Sequence, residues 1–139
     1  MIEKSCGTIP YTKINGEINY LLVRAKDDGY CGFPKGHVEE GETEIDTALR
    51  ETLEETSLTV TVTEGFRYET SFTLDNGNQK TVIYFTATFG DQTPVRNGEF
   101  EDLEYLLLPF GEARAALTYD NAKEMLQAAD TFLKQLPNA

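Results

Sequence analysis

Between Gly36 and Leu58 the chain reads GHVEEGETEIDTALRETLEETSL, eight acidic residues in 23 positions against one fixed positive charge, Arg50. At about 100° per residue, Glu44, Glu51, Glu54 and Glu55 fall on one side of a helix. Ile45, Ala48, Leu49, Thr52 and Thr56 fall on another arc. Most such charge runs are solvated faces. A solvated helix, however, ordinarily sets Lys or Arg three or four positions from each Glu, gaining about 0.2–0.5 kcal/mol per pair. No lysine occurs between Gly36 and Leu58, so the repulsion needs another partner. A divalent cation serves, since carboxylate oxygens are the ligands that hard Mg²⁺ or Ca²⁺ prefers. Just upstream, Lys35 and His37 stand among Gly32, Pro34, Gly36 and Gly41. Cationic side chains beside a metal site suit a polyphosphate, whose oxygens bridge metal and lysine at once. Read alone, His37 is an exposed loop histidine, while the spacing of the stripe fits a metal site as well as a solvated face.

The elements that must position these groups follow from breakers and periodicity. Gly7–Ile14 and Ile18–Ala25 flank Asn15-Gly16, the dipeptide best suited to a two-residue hairpin turn. Cys31–Gly41 carries too many breakers for a regular element and is expected to be a loop. Thr43 is the expected N-cap of a helix running to about Ser57. Four further strands are expected at Thr59–Thr63, Gly65–Leu74, Lys80–Phe89 and Leu103–Leu108. Ala122, Met125, Leu126, Ala129, Phe132, Leu133 and Leu136 share one face of a closing amphipathic helix. The expected fold is α+β: a curved mixed sheet with one central and one C-terminal helix packed on it.

At 139 residues the chain fits one domain, residues 1–139, and can bury roughly two-thirds of its unfolded surface. A net charge of −12 argues against a nucleic-acid or anionic-membrane partner, which would require a basic footprint. The absence of a signal-like start or an 18-residue apolar run predicts a cytoplasmic protein. Cys6 and Cys31, without CxxC spacing, are expected to be reduced thiols.

Gly36, Glu42, Arg50-Glu51, Glu54-Glu55 and Leu58 resemble the Nudix box, G-x5-E-x7-REUxEExGU with U a bulky aliphatic. Thr52 stands where an aliphatic is usual and Ser57 where the pattern has Gly. Phe33-Pro34-Lys35-Gly36-His37-Val38-Glu39, Lys80-Thr81-Val82-Ile83-Tyr84-Phe85 and Leu117-Thr118-Tyr119 look like the asymmetric diadenosine tetraphosphate hydrolases of that family. Cys31 departs from the Trp frequent there, and the chain has no Trp at all.

The resemblance implies an α/β/α sandwich, the Nudix fold. It implies a metal site formed by Gly36, Glu51, Glu54, Glu55 and Glu101, with Glu99 the runner-up for the last. Mg²⁺ is the implied ion and Mn²⁺ its substitute. Among the catalytic residues, Glu51, Glu54, Glu55, Glu101 and Arg50, the arginine orients a glutamate. Lys35 and Lys80 match phosphate-contacting positions, His37 a polar active-site position, and Tyr84 and Tyr119 positions near base or ribose. The implied reaction is Mg²⁺-dependent hydrolysis of a dinucleoside polyphosphate, diadenosine tetraphosphate giving ATP and AMP. ADP-ribose, a damaged nucleotide or a capped RNA end are alternative Nudix substrates, and a non-catalytic nucleotide sensor is the alternative outside enzymes.

Overall fold

The computed structural model describes residues 2–95 and 102–137. Strands β1 (Ile2–Ile14) and β2 (Glu17–Ala25) form the expected hairpin, with positive φ at both Asn15 and Gly16. They pair only over Tyr11–Ile14 and Glu17–Tyr20, and the segment from Cys31 to His37 pairs with both strands beyond that point. It pairs with β2 through β3 (Cys31–Gly32) and with β1 through β4 (Lys35–His37). The loop expected over Cys31–Gly41 is thus corrected: glycine and the residue before or after proline are compatible with extended backbone when a neighbouring strand supplies partners.

Helix α1 (Glu44–Thr56) starts on a capping box. The Thr43 hydroxyl accepts from the Asp46 N–H at 3.0 Å, and the Asp46 carboxylate accepts from the Thr43 N–H at 3.1 Å. Such a cap contributes about 0.5–2 kcal/mol. Two of the expected strands are one: β5 (Thr61–Thr73) continues through a register shift between Val62 and Arg67, with Gly65 at φ 106°. Gly65 is a bulge residue here, not a strand terminator. β6 (Gln79–Thr88) pairs with β5 antiparallel and with β1 in parallel, and β7 (Leu103–Pro109) pairs with β2. The sheet order is β3-β2-β1-β6-β5, with β4 joined to β1 and β7 to β2. A short helix α2 (Phe110–Ala116), not foreseen, precedes α3 (Asp120–Lys134), the expected closing helix.

The strand period of two divides the core into two layers. Ile9, Tyr20, Leu22, Val82 and Tyr84 face α2 and α3, packing on Ala113, Met125, Leu126, Ala129 and Leu133. Cys6, Ile83 and Phe85 face α1 at Ala48, while Leu21, Val60, Ala87 and Phe89 gather around Leu58. Each fully buried leucine contributes about 1.5–3 kcal/mol. On the α3 side the Tyr20 hydroxyl donates to Asp130 Oδ1 at 2.6 Å, and Lys134 meets Oδ2 at 2.7 Å. The helices thus cover both faces of one mixed sheet, the α+β sandwich that was expected. Among the described residues no helix is long and apolar enough to cross a membrane, and both cysteines are free and buried.

The core arc of α1 differs in detail. Ala48, Thr52 and Thr56 are fully buried, as is Thr47, whereas Ile45 is exposed. Thr52 sits at the aliphatic box position without leaving a polar group unpaired. Its hydroxyl donates to the Ala48 carbonyl at 2.8 Å and lies 2.7 Å from the Thr8 hydroxyl on β1. Ser57, where the family pattern has Gly, adopts a left-handed conformation, φ 63°, and its hydroxyl donates to the Val95 carbonyl at 2.8 Å. That bond offsets part of the roughly 1 kcal/mol that a left-handed non-glycine costs.

Candidate active site

The carboxylate stripe is organised by Arg50, which the helix leaves on its polar face. Its guanidinium grips Glu42 with two bonds, Nε to Oε2 at 2.7 Å and Nη2 to Oε1 at 3.0 Å. Nη1 reaches Glu51 at 2.8 Å and Glu54 at 3.2 Å, and Nη2 also donates to the His37 carbonyl at 3.1 Å. The paired bonds hold the Glu42 carboxyl down at about 2. Glu42 is in turn locked by the Glu39 N–H at 3.0 Å and the Thr47 hydroxyl at 2.8 Å. One cation therefore ties the start of the box to its last helical turns.

Glu44 does not belong to this group. Lys4 on β1 meets it at 2.7 Å and Arg67 on β5 at 2.9 Å, so its charge is balanced by strand residues and its carboxyl is held at about 2. The expectation of a single uncompensated stripe is corrected to this extent: the cations come from elsewhere in the chain.

Glu55 is held instead by the main chain. One oxygen accepts from the Lys35 main-chain N–H at 3.1 Å. Burial, followed by the charge of Glu51, pushes its carboxyl up to about 8. Burial also raises Glu51, against the pull of Arg50. A Cβ placed on Gly36 would overlap the Glu51 carboxyl, so only glycine at this point of β4 lets the main chain lie against that carboxylate.

Beside this group opens a cleft of about 680 Å³ whose walls include Tyr30, Phe33, Lys35, Tyr84 and Tyr119. Lys35 is common to both, linking the cleft to Glu55. Burial and then the proximity of Lys80 lower its ammonium pKa. Tyr84 is buried in the cleft floor, edge-on to Phe33 with centroids 6.3 Å apart. Tyr119, 59% exposed at the start of α3, leans against Tyr30 at 5.5 Å between centroids.

The fold thus brings Lys35, Gly36, Arg50, Glu51, Glu54 and Glu55 together, puts Tyr84 and Tyr119 on the adjoining cleft, and sets Lys80 near Lys35. The His37 side chain is exposed, with Nε2 3.8 Å from Glu3, and it is absent from the cleft lining. Glu101 and Glu99 lie outside the described residues. Sequence reasoning passed over Tyr30, whose neighbours in the chain carry no periodic signal. It also gave no role to Glu42, although its fixed spacing before Arg50 was the available cue.

Among the described residues no three carboxylates, imidazoles or thiols converge closely enough to hold an ion unaided. Arg50 draws Glu51 and Glu54 onto its own nitrogens. The donor set nonetheless suits a hard divalent ion: it is all oxygen, and two of its carboxyls are raised by burial in a way that a cation would relieve.

The chain matches the NUDIX domain model over residues 8–129. It is 34% identical to the asymmetrical bis(5'-nucleosyl)-tetraphosphatase of Mus musculus, with 99% of each chain covered. It is 36% identical over 100 residues to the enzyme of that name from Caenorhabditis elegans, covering 69% of this chain and 72% of the other. A crystal structure of the C. elegans Ap4A hydrolase in a binary complex superposes with a TM-score of 0.86 at 27% identity, covering 96% of this chain and 99% of that one. With a box helix capped, anchored and paired as above, and a family match spanning most of its length, the chain belongs to the NUDIX domain family.

Proposed function

We propose that this protein is a cytoplasmic Nudix hydrolase that cleaves diadenosine tetraphosphate asymmetrically into ATP and AMP, with Mg²⁺ as its ion and Mn²⁺ as a substitute. The observation that carries the reading is the junction at Lys35. Its backbone holds Glu55 in the carboxylate group, while the residue itself lines an aromatic cleft of nucleoside size. Near full-length likeness to enzymes named for this activity supports the substrate.

In this reading Glu51, Glu54 and Glu55, with the Gly36 main chain and Glu101, hold the ion. When bound, the ion neutralises polyphosphate charge and acidifies the attacking water. Arg50 keeps Glu51 and Glu54 oriented and, engaged by Glu42, Glu51, Glu54 and the His37 carbonyl, is not available as a substrate clamp. Lys35 and Lys80 receive phosphate oxygens, whose charge removes the mutual repulsion of the two ammonium groups. Tyr84 and Tyr119 line the part of the cleft that receives the base or ribose, with the exposed Tyr119 ring, braced by Tyr30, available for stacking. A carboxylate of the glutamate set takes the proton of the attacking water.

Purified protein incubated with Mg²⁺ and diadenosine tetraphosphate, with products separated by chromatography, tests this. ATP and AMP in equal amounts are expected, and none after chelation. Two ADP, or no product, overturns it. A parallel panel with ADP-ribose and a capped RNA end reads the specificity.

A further inference from the structure

The last turn of a helix leaves carbonyls without intrahelical partners, at the negative end of its dipole. In α1 that turn carries Glu54 and Glu55 and no basic residue. Its carbonyls are instead collected by neutral donors. The Leu53 carbonyl accepts from the Ser57 N–H at 2.8 Å and the Thr56 carbonyl from the Val95 N–H at 2.8 Å. The Glu55 carbonyl accepts from the Tyr105 hydroxyl at 2.5 Å. Tyr105 comes from the middle of β7, with its half-buried ring packed on the cluster of Leu21, Leu58, Val60, Ala87 and Phe89. Glu55 is therefore held twice, at its carboxylate by the Lys35 amide and at its own peptide carbonyl by Tyr105.

We propose that Tyr105 is a positioning residue for the Glu55 carboxylate: its hydroxyl fixes the peptide from which that side chain projects and so sets the ion site. This rests on the reading of Glu55 as an ion ligand. Glu51 and the peptide carbonyls of the last turn all repel Glu55 in the ionised form that holds an ion, so without the hydroxyl the last turn is free to rotate Glu55 away from Glu51. Tyr105→Phe keeps the ring in its apolar cluster and removes the hydroxyl that holds the Glu55 carbonyl.

The test compares Tyr105→Phe, Tyr20→Phe and Glu55→Gln. Tyr20→Phe deletes a buried hydroxyl bond of the same kind on the opposite face of the sheet, to Asp130, and controls for loss of stability. Binding of Mn²⁺ alone is measured by calorimetry, and kcat and KM separately on diadenosine tetraphosphate. Tyr105→Phe is expected to weaken Mn²⁺ binding about tenfold and lower kcat about as much with KM unchanged, as for removal of outer partners at metal sites. Tyr20→Phe is expected to leave both at the wild-type level. Equal losses in the two tyrosine variants, or wild-type Mn²⁺ affinity in Tyr105→Phe while Glu55→Gln loses it, overturn the role of Tyr105 alone. Wild-type Mn²⁺ affinity and turnover in Glu55→Gln overturn the ligand reading beneath it.

Discussion

Glu55→Gln removes one ionisable carboxyl from the site while keeping the shape of the side chain and an oxygen to accept from the Lys35 N–H at 3.1 Å. In the folded protein without metal, the carboxyl is raised from 4.5 to about 8. A carboxyl raised in this way favours the native state when protonated, and that advantage is lost as pH climbs from 4.5 through 8. At pH 7 the ionised or reprotonated group costs the fold up to about 3 kcal/mol, and at pH 5 under about 1 kcal/mol. The glutamine variant carries no such cost at either pH. With an unfolding entropy of about 0.3 kcal/mol/K for a chain of this length, the variant should melt up to about 10 °C above wild type at pH 7 and only about 3 °C above it at pH 5. Calorimetric melts in EDTA at the two pH values check this, and Mg²⁺ should narrow the gap by stabilising wild type alone. Turnover should fall by at least about 100-fold, since an ion ligand is lost. A Tm difference independent of pH, or a variant less stable than wild type at pH 7, would refute the account of Glu55 as a buried carboxylate awaiting a cation.

Two further perturbations address the frame around it. Arg50→Lys retains the charge but cannot reproduce the two-bond grip on Glu42 while also reaching Glu51, Glu54 and the His37 carbonyl. We expect kcat to fall by about 10- to 100-fold with little change in KM, measured by steady-state kinetics. Thr52→Val strands the buried Thr8 hydroxyl and should destabilise by about 1–3 kcal/mol in urea melts. The double variant Thr8→Val with Thr52→Val should recover most of that, and additive losses would show that the two hydroxyls are not coupled.

The hairpin at Asn15-Gly16, the capped helix from Thr43 and the closing amphipathic helix were legible because each is written in local chemistry: a turn dipeptide, a cap, a periodic face. The pairing of Glu44 with Lys4 and Arg67 was not, because a helical wheel carries no information about strands that arrive from elsewhere. β3 and β4 escaped for the same reason: two- and three-residue strands exist through their partners β2 and β1, not through their own propensity. α2 is short and holds Gly111 just after Pro109, features that read as a break. Within the candidate site, fixed spacing pointed to Glu51, Glu54 and Glu55, which the structure sets around Arg50 and Lys35. Tyr30 and Tyr105 stand out only by what they touch. Thr52 and Ser57, departures from the family pattern, are each accounted for by a hydrogen bond that no pattern could contain.

The parallel pairing of β1 with β6 bears on how the site comes into being. Ile9 lies opposite Thr86, and the whole box, from Gly36 to Leu58, sits inside the loop that this contact closes. Closing a loop of several tens of residues costs about 4 kcal/mol of chain entropy before any contact offsets it, and such non-local pairings fold slowly. Helix α1 can begin on its own cap, but Cys6, Ile83 and Phe85 make a surface for Ala48 only once β6 has joined β1. The box helix, which its own cap can start and Arg50 can tie to Glu42, thus gains its complete apolar seat only when the sheet has closed.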